Sequence, residues 1–147
     1  MTKFIWIILA FISGAILPIQ GAVNSKLGKA VASPLYASLI SFLVGAVGLA
    51  LYILATRQTF SLTALRTAPI YVWIGGLLGA FYVTAVIVLF PRLGPGLTFG
   101  LLVAGQMTLA AILEHFNILV AQPHPITFIR IVGIVLIIVG VILVRSF

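Results

Sequence analysis

The chain has 147 residues, of which 63% are hydrophobic and only 6% are charged, and its net charge is +7. A soluble domain carries roughly 25% charged residues, so this composition excludes a soluble fold and indicates a chain embedded in a lipid bilayer. The eight Lys and Arg residues are scattered near the ends of apolar runs, which excludes the basic stripe or cluster of a nucleic-acid-binding surface.

Five apolar runs of the chain are each long enough to cross a membrane, which takes about 20 helical residues. The predicted spans cover residues 4–23, 34–55, 70–90, 97–118 and 126–144. Runs of this length without polar alternation exclude the strands of a membrane β-barrel. We therefore predict an all-α, polytopic membrane protein in which residues 1–147 form a single membrane domain with five transmembrane helices.

Short polar or helix-breaking segments separate the spans. The longest, residues 56–69, follows the second span, and residues 91–96, with two prolines and two glycines, predict a tight turn between the third and fourth spans. Residues 122–125, Gln-Pro-His-Pro, predict the last break. We expect the first span to remain in the mature protein, because the nearest Ala-x-Ala triplet, residues 30–32, lies well past the apolar stretch.

The positive charges divide evenly between the two membrane faces. One face would hold Lys3, Arg57, Arg66 and Arg130, and the other Lys26, Lys29, Arg92 and Arg145. Bacterial-type membrane proteins usually fix their orientation by placing more Lys and Arg in cytoplasmic loops. Without that bias, the chain can insert in both orientations and pair with its own inverted copy.

Small residues recur at helical spacing within the spans. Gly75 and Gly79 are four residues apart in the third span, and Gly133 and Gly140 are seven apart in the fifth. Lipid supplies no hydrophobic drive for helix association, so small residues that permit close backbone approach favour packing. These glycines therefore predict helix contacts in a compact bundle or an oligomer.

Polar side chains inside a span are costly and call for an explanation. Ser13, Gln20 and Asn24 lie at helical spacing in the first span, and Pro18 removes one backbone hydrogen bond there and predicts a kink. Two interpretations stand side by side: a polar cavity wall, or amides that bond across helices. Tyr82 lies in the middle of the third span, where its hydroxyl needs a partner or a wet cavity.

Glu114 is the one acidic residue of the chain, and Gln106 precedes it by eight residues in the fourth span. In one interpretation, Glu114 forms a structural ion pair with Arg130, which lies on the same membrane face. In the other, Glu114 is a titratable site for a proton or a cationic substrate. His115, its neighbour, could tune either state.

The chain offers no catalytic constellation. One carboxylate cannot form an acid–base pair, and two separated histidines with one Glu do not make a metal site. There are no cysteines, which excludes disulfides and thiolate sites, and no glycine-rich phosphate loop is present. We therefore predict a protein that is not an enzyme and that uses no metal or cofactor.

Several short patterns follow one another along the chain. They are Gly14-x-x-x-Pro18-x-Gln20-x-x-x-Asn24, Pro34, Ser41-Phe42-x-x-Gly45, Trp73-x-Gly75-Gly76-x-x-Gly79-Ala80, Gly105-Gln106, Glu114-His115-Phe116 and Arg130-x-x-Gly133-(x)6-Gly140-Val141. Together they resemble the YdcZ-like family of small five-helix inner-membrane exporters in the drug/metabolite transporter (DMT) superfamily. Asn117 stands where this resemblance leads us to expect glycine.

The resemblance implies a multi-pass protein of the inner membrane. It also implies one EamA-like half-transporter unit, of the kind that is duplicated with inverted topology in ten-helix members. Small multidrug members use a Glu in the middle of the first helix. This chain has no acid there, so their mechanism cannot be carried over by position.

The leading hypothesis is a secondary-active exporter of a small metabolite or drug-like compound, because inverted repeats around a midplane site are a recurrent transporter design. The partner of the unit would be an antiparallel second copy or a paralogous five-helix protein. The candidate cavity residues are Ser13, Pro18, Gln20, Asn24, Tyr82 and Gln106. Glu114 is the candidate for proton coupling. The alternatives are a non-transporting membrane subunit and a flippase-like role toward lipid.

Overall fold

The computed structural model describes residues 2–120 and 124–146, and their side chains except those of Leu62, Ala64 and Ser146. Every regular element in these ranges is a helix. The α-helices are α1 (Thr2–Ala30), α2 (Pro34–Ala55), α3 (Leu62–Thr67), α4 (Ile74–His115) and α5 (Phe128–Ser146). Gln122 and Pro123, where the last break was predicted, lie outside the described residues.

Four helical segments among the described residues are long and apolar enough to cross a membrane. They are Thr2–Ala30, Pro34–Ala55, Ile70–His115 and Phe128–Arg145. The third has 46 residues and contains the third predicted span and all but the last three residues of the fourth. The predicted all-helical, polytopic character is therefore confirmed, whereas the separation of these two spans is much smaller than expected.

The predicted turn over residues 91–96 is reduced to a single residue. Gly94 has φ 75 and ψ 164, outside the helical region, and helix flanks it on both sides. Glycine reaches this combination because it has no Cβ. Pro95 then begins a new helical stretch, where its missing N–H would have had no helical acceptor. The two prolines therefore do not break the helix by themselves.

The described residues divide into two compact units, Met1–Pro91 and Arg92–Phe147. In the first, α1 continues two turns past its predicted end and then turns into α2. Ser33 caps α2, because its Oγ accepts from the Tyr36 N–H at 3.4 Å, and Pro34 is the first helical residue. The three-residue turn brings α1 and α2 together as a hairpin.

The buried part of the first unit lies near this hairpin turn. A Cβ at Gly28 would stand 2.9 Å from Ile87 Cγ2 and 3.8 Å from Ala37 Cβ, so only glycine allows α1 this close to its neighbours. Ala37 and Ile87 are themselves buried. Asn24, one turn before Gly28, is buried too.

In the second unit, α5 packs on the second half of α4 through small residues. A Cβ at Gly100 would lie 2.9 Å from Val141 Cγ2, and one at Gly96 would lie 3.4 Å from Val144 Cγ1. The spacing of four residues is typical of close helix contacts in membranes. The sequence contains this pair, but the predicted helix contacts were assigned to other glycines.

The glycines that were singled out behave differently. Gly79 lies against Phe42, with 3.4 Å between its ideal Cβ and the ring. A Cβ at Gly75, Gly133 or Gly140 would meet nothing within 4 Å. Three of these four positions therefore do not form the expected helix contacts with the part of the chain that the structure describes.

Candidate functional site

The end of α4 places Glu114 beside the start of α5. The Ile118 N–H donates to the Leu113 carbonyl at 2.9 Å, and the Asn117 N–H donates to the Glu114 carbonyl at 3.4 Å. These are the two hydrogen bonds of a Schellman cap. Asn117 has φ 53, the left-handed conformation that the cap requires and that glycine favours. The helix thus ends just past Glu114, at the residue where the resemblance led us to expect glycine.

Glu114 and Arg130 are in direct contact. Arg130 Nη2 donates to Glu114 Oε2, and Arg130 Nη1 donates to the His124 carbonyl oxygen at 3.1 Å. The two side chains keep 29% and 36% of their surface exposed. The chain's one carboxylate is therefore charge-paired and still reachable, which suits both the structural and the coupling interpretation.

The loop between α4 and α5 is held by the end of α4. The His124 N–H donates to the Glu114 carbonyl oxygen at 3.3 Å, and the Ile126 N–H donates to His115 Nδ1 at 3.2 Å. A ring nitrogen that accepts a hydrogen bond carries no proton, so the proton of neutral His115 is on Nε2. His115 thus positions the loop that supplies a carbonyl to Arg130.

The ion pair lines a cavity of about 320 Å³, here called the unit 2 cavity. Apart from Glu114 and Arg130, its walls carry no charge. They are formed by Met107, Ala110 and Ala111 of α4 and by Gly133, Ile134 and Ile137 of α5. Gly133 leaves the wall open, because a Cβ there would meet nothing within 4 Å. The result is an apolar cavity with one charge of each sign in its wall.

A second cavity of about 320 Å³, the unit 1 cavity, lies within the first unit. Its walls are mostly apolar, with one amide and one hydroxyl. They are formed by Gln20, Ser41, Phe42, Gly45, Ala46, Leu49 and Val83. Gln20 was predicted as a cavity residue from the sequence. Ser41 was not predicted as a cavity residue, and its position beside Gln20 in the cavity wall required the tertiary structure.

The other predicted cavity residues do not join Gln20 in the wall of that cavity. Ser13 Oγ donates to the Leu9 carbonyl at 2.8 Å within its own helix. Asn24 is only 6% exposed, and α1 continues through Pro18. Tyr82 is partly buried beside Val83, and Gln106 is exposed on α4. The predicted polar set is therefore distributed over several environments.

Thr98 is a buried polar residue that the sequence did not mark as unusual. It is 1% exposed, and its hydroxyl has no hydrogen-bond partner among the described residues. Threonine is common in apolar helices, where its hydroxyl can bond to its own backbone. Nothing in the sequence pattern therefore distinguishes Thr98 from Thr108, whose Oγ1 donates to the Ala104 carbonyl at 2.8 Å.

No metal-binding cluster occurs in the described ranges, since no three His, Asp or Glu side chains there lie close enough to share an ion. The cavities offer an amide, a hydroxyl and an ion pair in apolar walls. This chemistry suits reversible recognition of a small molecule.

Comparison with known proteins gives one match. A family model described as "Putative inner membrane exporter, YdcZ" matches residues 5–143. The match spans both cavities and the ion pair. No curated protein and no solved structure matches the chain. The family description is that of a transporter and not of an enzyme.

Proposed function

The chain belongs to the YdcZ family of inner membrane exporters, and from this premise we propose a secondary-active exporter of a small metabolite or drug-like compound that works as a dimer of inverted five-helix units. At the coarser level, the chain is a multi-pass transporter of the inner membrane. The proposal depends most on one observation: the single carboxylate, Glu114, is paired with Arg130 in the wall of a cavity.

A five-span unit is supported by the length of the third apolar segment. Its 46 residues would extend for roughly 70 Å as a straight helix, about twice the thickness of the hydrocarbon core. One crossing cannot accommodate that length. Gly94 interrupts the helical backbone near its middle, so two crossings joined at Gly94 account for the segment.

An inverted second copy is supported by the charge balance and by Gln106. In the predicted topology, four cations on each face leave the orientation without a clear bias. Gln106 is an exposed amide in an apolar stretch of α4, and an amide that faces lipid lacks hydrogen-bond partners. A second chain over this face would supply them. Reporters fused to the C-terminus should appear on both sides of the membrane; one fixed side would instead favour a paralogous partner.

Proton coupling is proposed for Glu114. Its ionised form is balanced by Arg130, whereas protonation would leave the guanidinium with the His124 carbonyl and free to bind another group. The two protonation states therefore present different charges to the cavity. Such a difference is what couples a proton to the binding of a substrate.

Glu114→Gln is the direct test of coupling. Purified protein in liposomes is screened for flux of candidate metabolites under an imposed pH gradient. We expect the variant to lose the dependence of flux on the gradient, because its amide does not titrate. Arg145→Lys keeps the charge balance, lies far along α5 and should retain that dependence. Unchanged pH-dependent flux in Glu114→Gln would leave the ion pair with a structural role only.

The unit 1 cavity is proposed as a second contact site for the substrate, separate from the unit 2 cavity, with Gln20 and Ser41 as its polar groups. Gln20→Leu keeps the side chain's approximate size but removes its amide, and flux should fall at least tenfold, which corresponds to the loss of about one hydrogen bond. Ser13→Ala is the matched control on α1, because the Ser13 hydroxyl is already bonded to its own helix. No flux of any metabolite in a broad screen would favour the non-transporting subunit.

A further inference from the structure

The unit 2 cavity combines features that define a narrow class of ligand. One part of its wall holds the Glu114 carboxylate and the Arg130 guanidinium, and the other wall residues are apolar. Both charged side chains are partly exposed, so each has donors or acceptors beyond those it uses in the pair. Arg130 has five N–H groups and spends one on Glu114 and one on His124.

Because Glu114 and Arg130 are paired, only certain ligands can replace the contact between them. A ligand with a single charge would take one partner of the ion pair and leave the other, about a third exposed, uncompensated beside apolar walls, which is unfavourable. A ligand with both charges gives each side chain a new partner. Its ammonium meets Glu114 while its carboxylate meets Arg130, whose planar donors suit a carboxylate.

The apolar walls determine the rest of the ligand. A volume of about 320 Å³ admits one small molecule with a compact apolar group. Gly133 keeps the cavity open at its wall, since a Cβ there has no neighbour within 4 Å. A second polar group on the ligand would find no partner among Met107, Ile134 and Ile137.

We infer that the unit 2 cavity binds a small zwitterion with an apolar side chain, of which an apolar α-amino acid is the simplest form. The inference rests on the proposed exporter function and names its substrate class. It also supplies a coupling rule: the ligand's ammonium and a proton compete for the same carboxylate. Other titratable or charged groups near Glu114 are His115 on α4, His124 in the loop and Arg130 on α5.

The test is equilibrium binding by calorimetry with the full chain in phosphatidylglycerol nanodiscs, with L-phenylalanine as the probe. Three analogues each remove one feature: phenethylamine lacks the carboxylate, 3-phenylpropionate lacks the ammonium, and alanine lacks the large apolar group. We expect each analogue to bind roughly 10- to 100-fold more weakly than phenylalanine. Equal affinity for phenylalanine and the singly charged analogues would overturn the inference, as would an absence of phenylalanine binding.

Variants at two glycines of α5 test whether the ligand binds in the unit 2 cavity. Gly133→Leu fills the cavity from α5 and is expected to weaken phenylalanine binding at least tenfold, and Gly133→Ala by a smaller factor. Gly140→Leu is the matched control on the same helix. Its Cβ also meets nothing within 4 Å, but Gly140 does not line the cavity. Wild-type affinity in a folded Gly133→Leu protein would overturn the assignment to this cavity.

Phosphatidylethanolamine carries an ammonium and an anionic group on an apolar body, and is the other source of this chemistry. Nanodiscs containing it are therefore a second arm of the experiment. Phenylalanine affinity should be unchanged there; strong competition would assign the cavity to the lipid headgroup and overturn the inference. The binding measurement does not depend on flux. If the protein transports other compounds but does not bind phenylalanine, the inference fails and the exporter function stands. If it binds phenylalanine but transports nothing, the proposed exporter function fails.

Discussion

Among the described residues, three other than glycine end helices in the left-handed conformation. Ala32, Arg57 and Asn117 have φ of 52, 50 and 53. At each, the next residue's N–H reaches five positions back to a helix carbonyl, as in Ser33 N–H to the Gly28 oxygen at 3.0 Å. A Cβ makes this conformation unfavourable by roughly 1–2 kcal/mol. Each helix end therefore contains strain that glycine would relieve.

Ala32→Gly is expected to stabilise the protein by about 0.5–1 kcal/mol, because relief of the left-handed strain exceeds the extra entropy that glycine loses on folding. Thermal unfolding in detergent, followed by circular dichroism, measures the change. Ala22→Gly is the control in the interior of α1, where the same substitution should destabilise by about 1 kcal/mol. A lower melting temperature for both variants would contradict the role assigned to Ala32.

At the scale of the elements, contact between α4 and α5 depends on the absence of a side chain at Gly100. Both Cγ atoms of Val141 would lie within 3.2 Å of a Cβ there. Valine is stiff about χ1, so it cannot turn away easily and α5 would have to shift. Since α5 carries Arg130 and α4 carries Glu114, this packing also positions the ion pair.

Gly100→Ala should therefore destabilise the protein by about 1–3 kcal/mol through overpacking. Gly105→Ala lies on the same helix with nothing within 4 Å of its Cβ, and should be neutral or stabilising. The double variant Gly100→Ala, Val141→Ala restores the space and should recover part of the loss. The melting temperatures of the wild type and the three variants test this contact. Equal melting temperatures for Gly100→Ala and Gly105→Ala would rule out the contact between Gly100 and Val141.

At the scale of the whole molecule, the even distribution of cations is the property that bears on assembly. A cation in a loop favours the orientation that places this loop in the cytoplasm. With four cations predicted on each face, the two opposing preferences nearly cancel. A single added charge should then have a disproportionate effect. The proposed inverted dimer needs both orientations in the same membrane.

Gln58→Lys adds a cation to the loop after α2, and Ala30→Lys adds one on the opposite predicted face. We expect each variant to shift the population toward one orientation, in opposite directions. C-terminal reporters active on either side of the membrane measure the ratio. Co-expression of the two variants should restore transport if inverted pairs are the functional unit. If neither substitution changed the ratio of the two orientations, the predicted even distribution of cations would be contradicted.

Much of the fold followed from the sequence. Composition and run length predicted an all-helical membrane protein, and the short patterns predicted the YdcZ family, which the family match confirms. The break between the third and fourth predicted spans lies at Gly94, inside the predicted turn of residues 91–96. Two prolines and two glycines suggested a loop of six residues, but proline is compatible with the first turn of a helix, so only Gly94 departs from helical geometry.

The candidate site was less accessible to sequence reasoning. Helical spacing grouped Ser13, Gln20 and Asn24, although the first bonds to its own helix, the second lines a cavity and the third is buried. The spacing of residues indicates which side chains share a helix face, but it does not indicate what packs against that face. Gly96 and Gly100 allow α5 to pack closely on α4. Gly133 and Gly140 also have favourable spacing, but a Cβ at either position would meet nothing within 4 Å.

The sequence by itself determined that this chain is a multi-pass membrane protein with one acidic residue and eight Lys and Arg residues near the ends of its apolar runs. Those properties act through transfer into lipid, which depends on each segment's own composition. Only the tertiary structure decided which side chains share a cavity. Glu114 and Arg130 are 16 residues apart, and their contact beside Gly133 depends on the close approach of α4 and α5, which is not local in sequence.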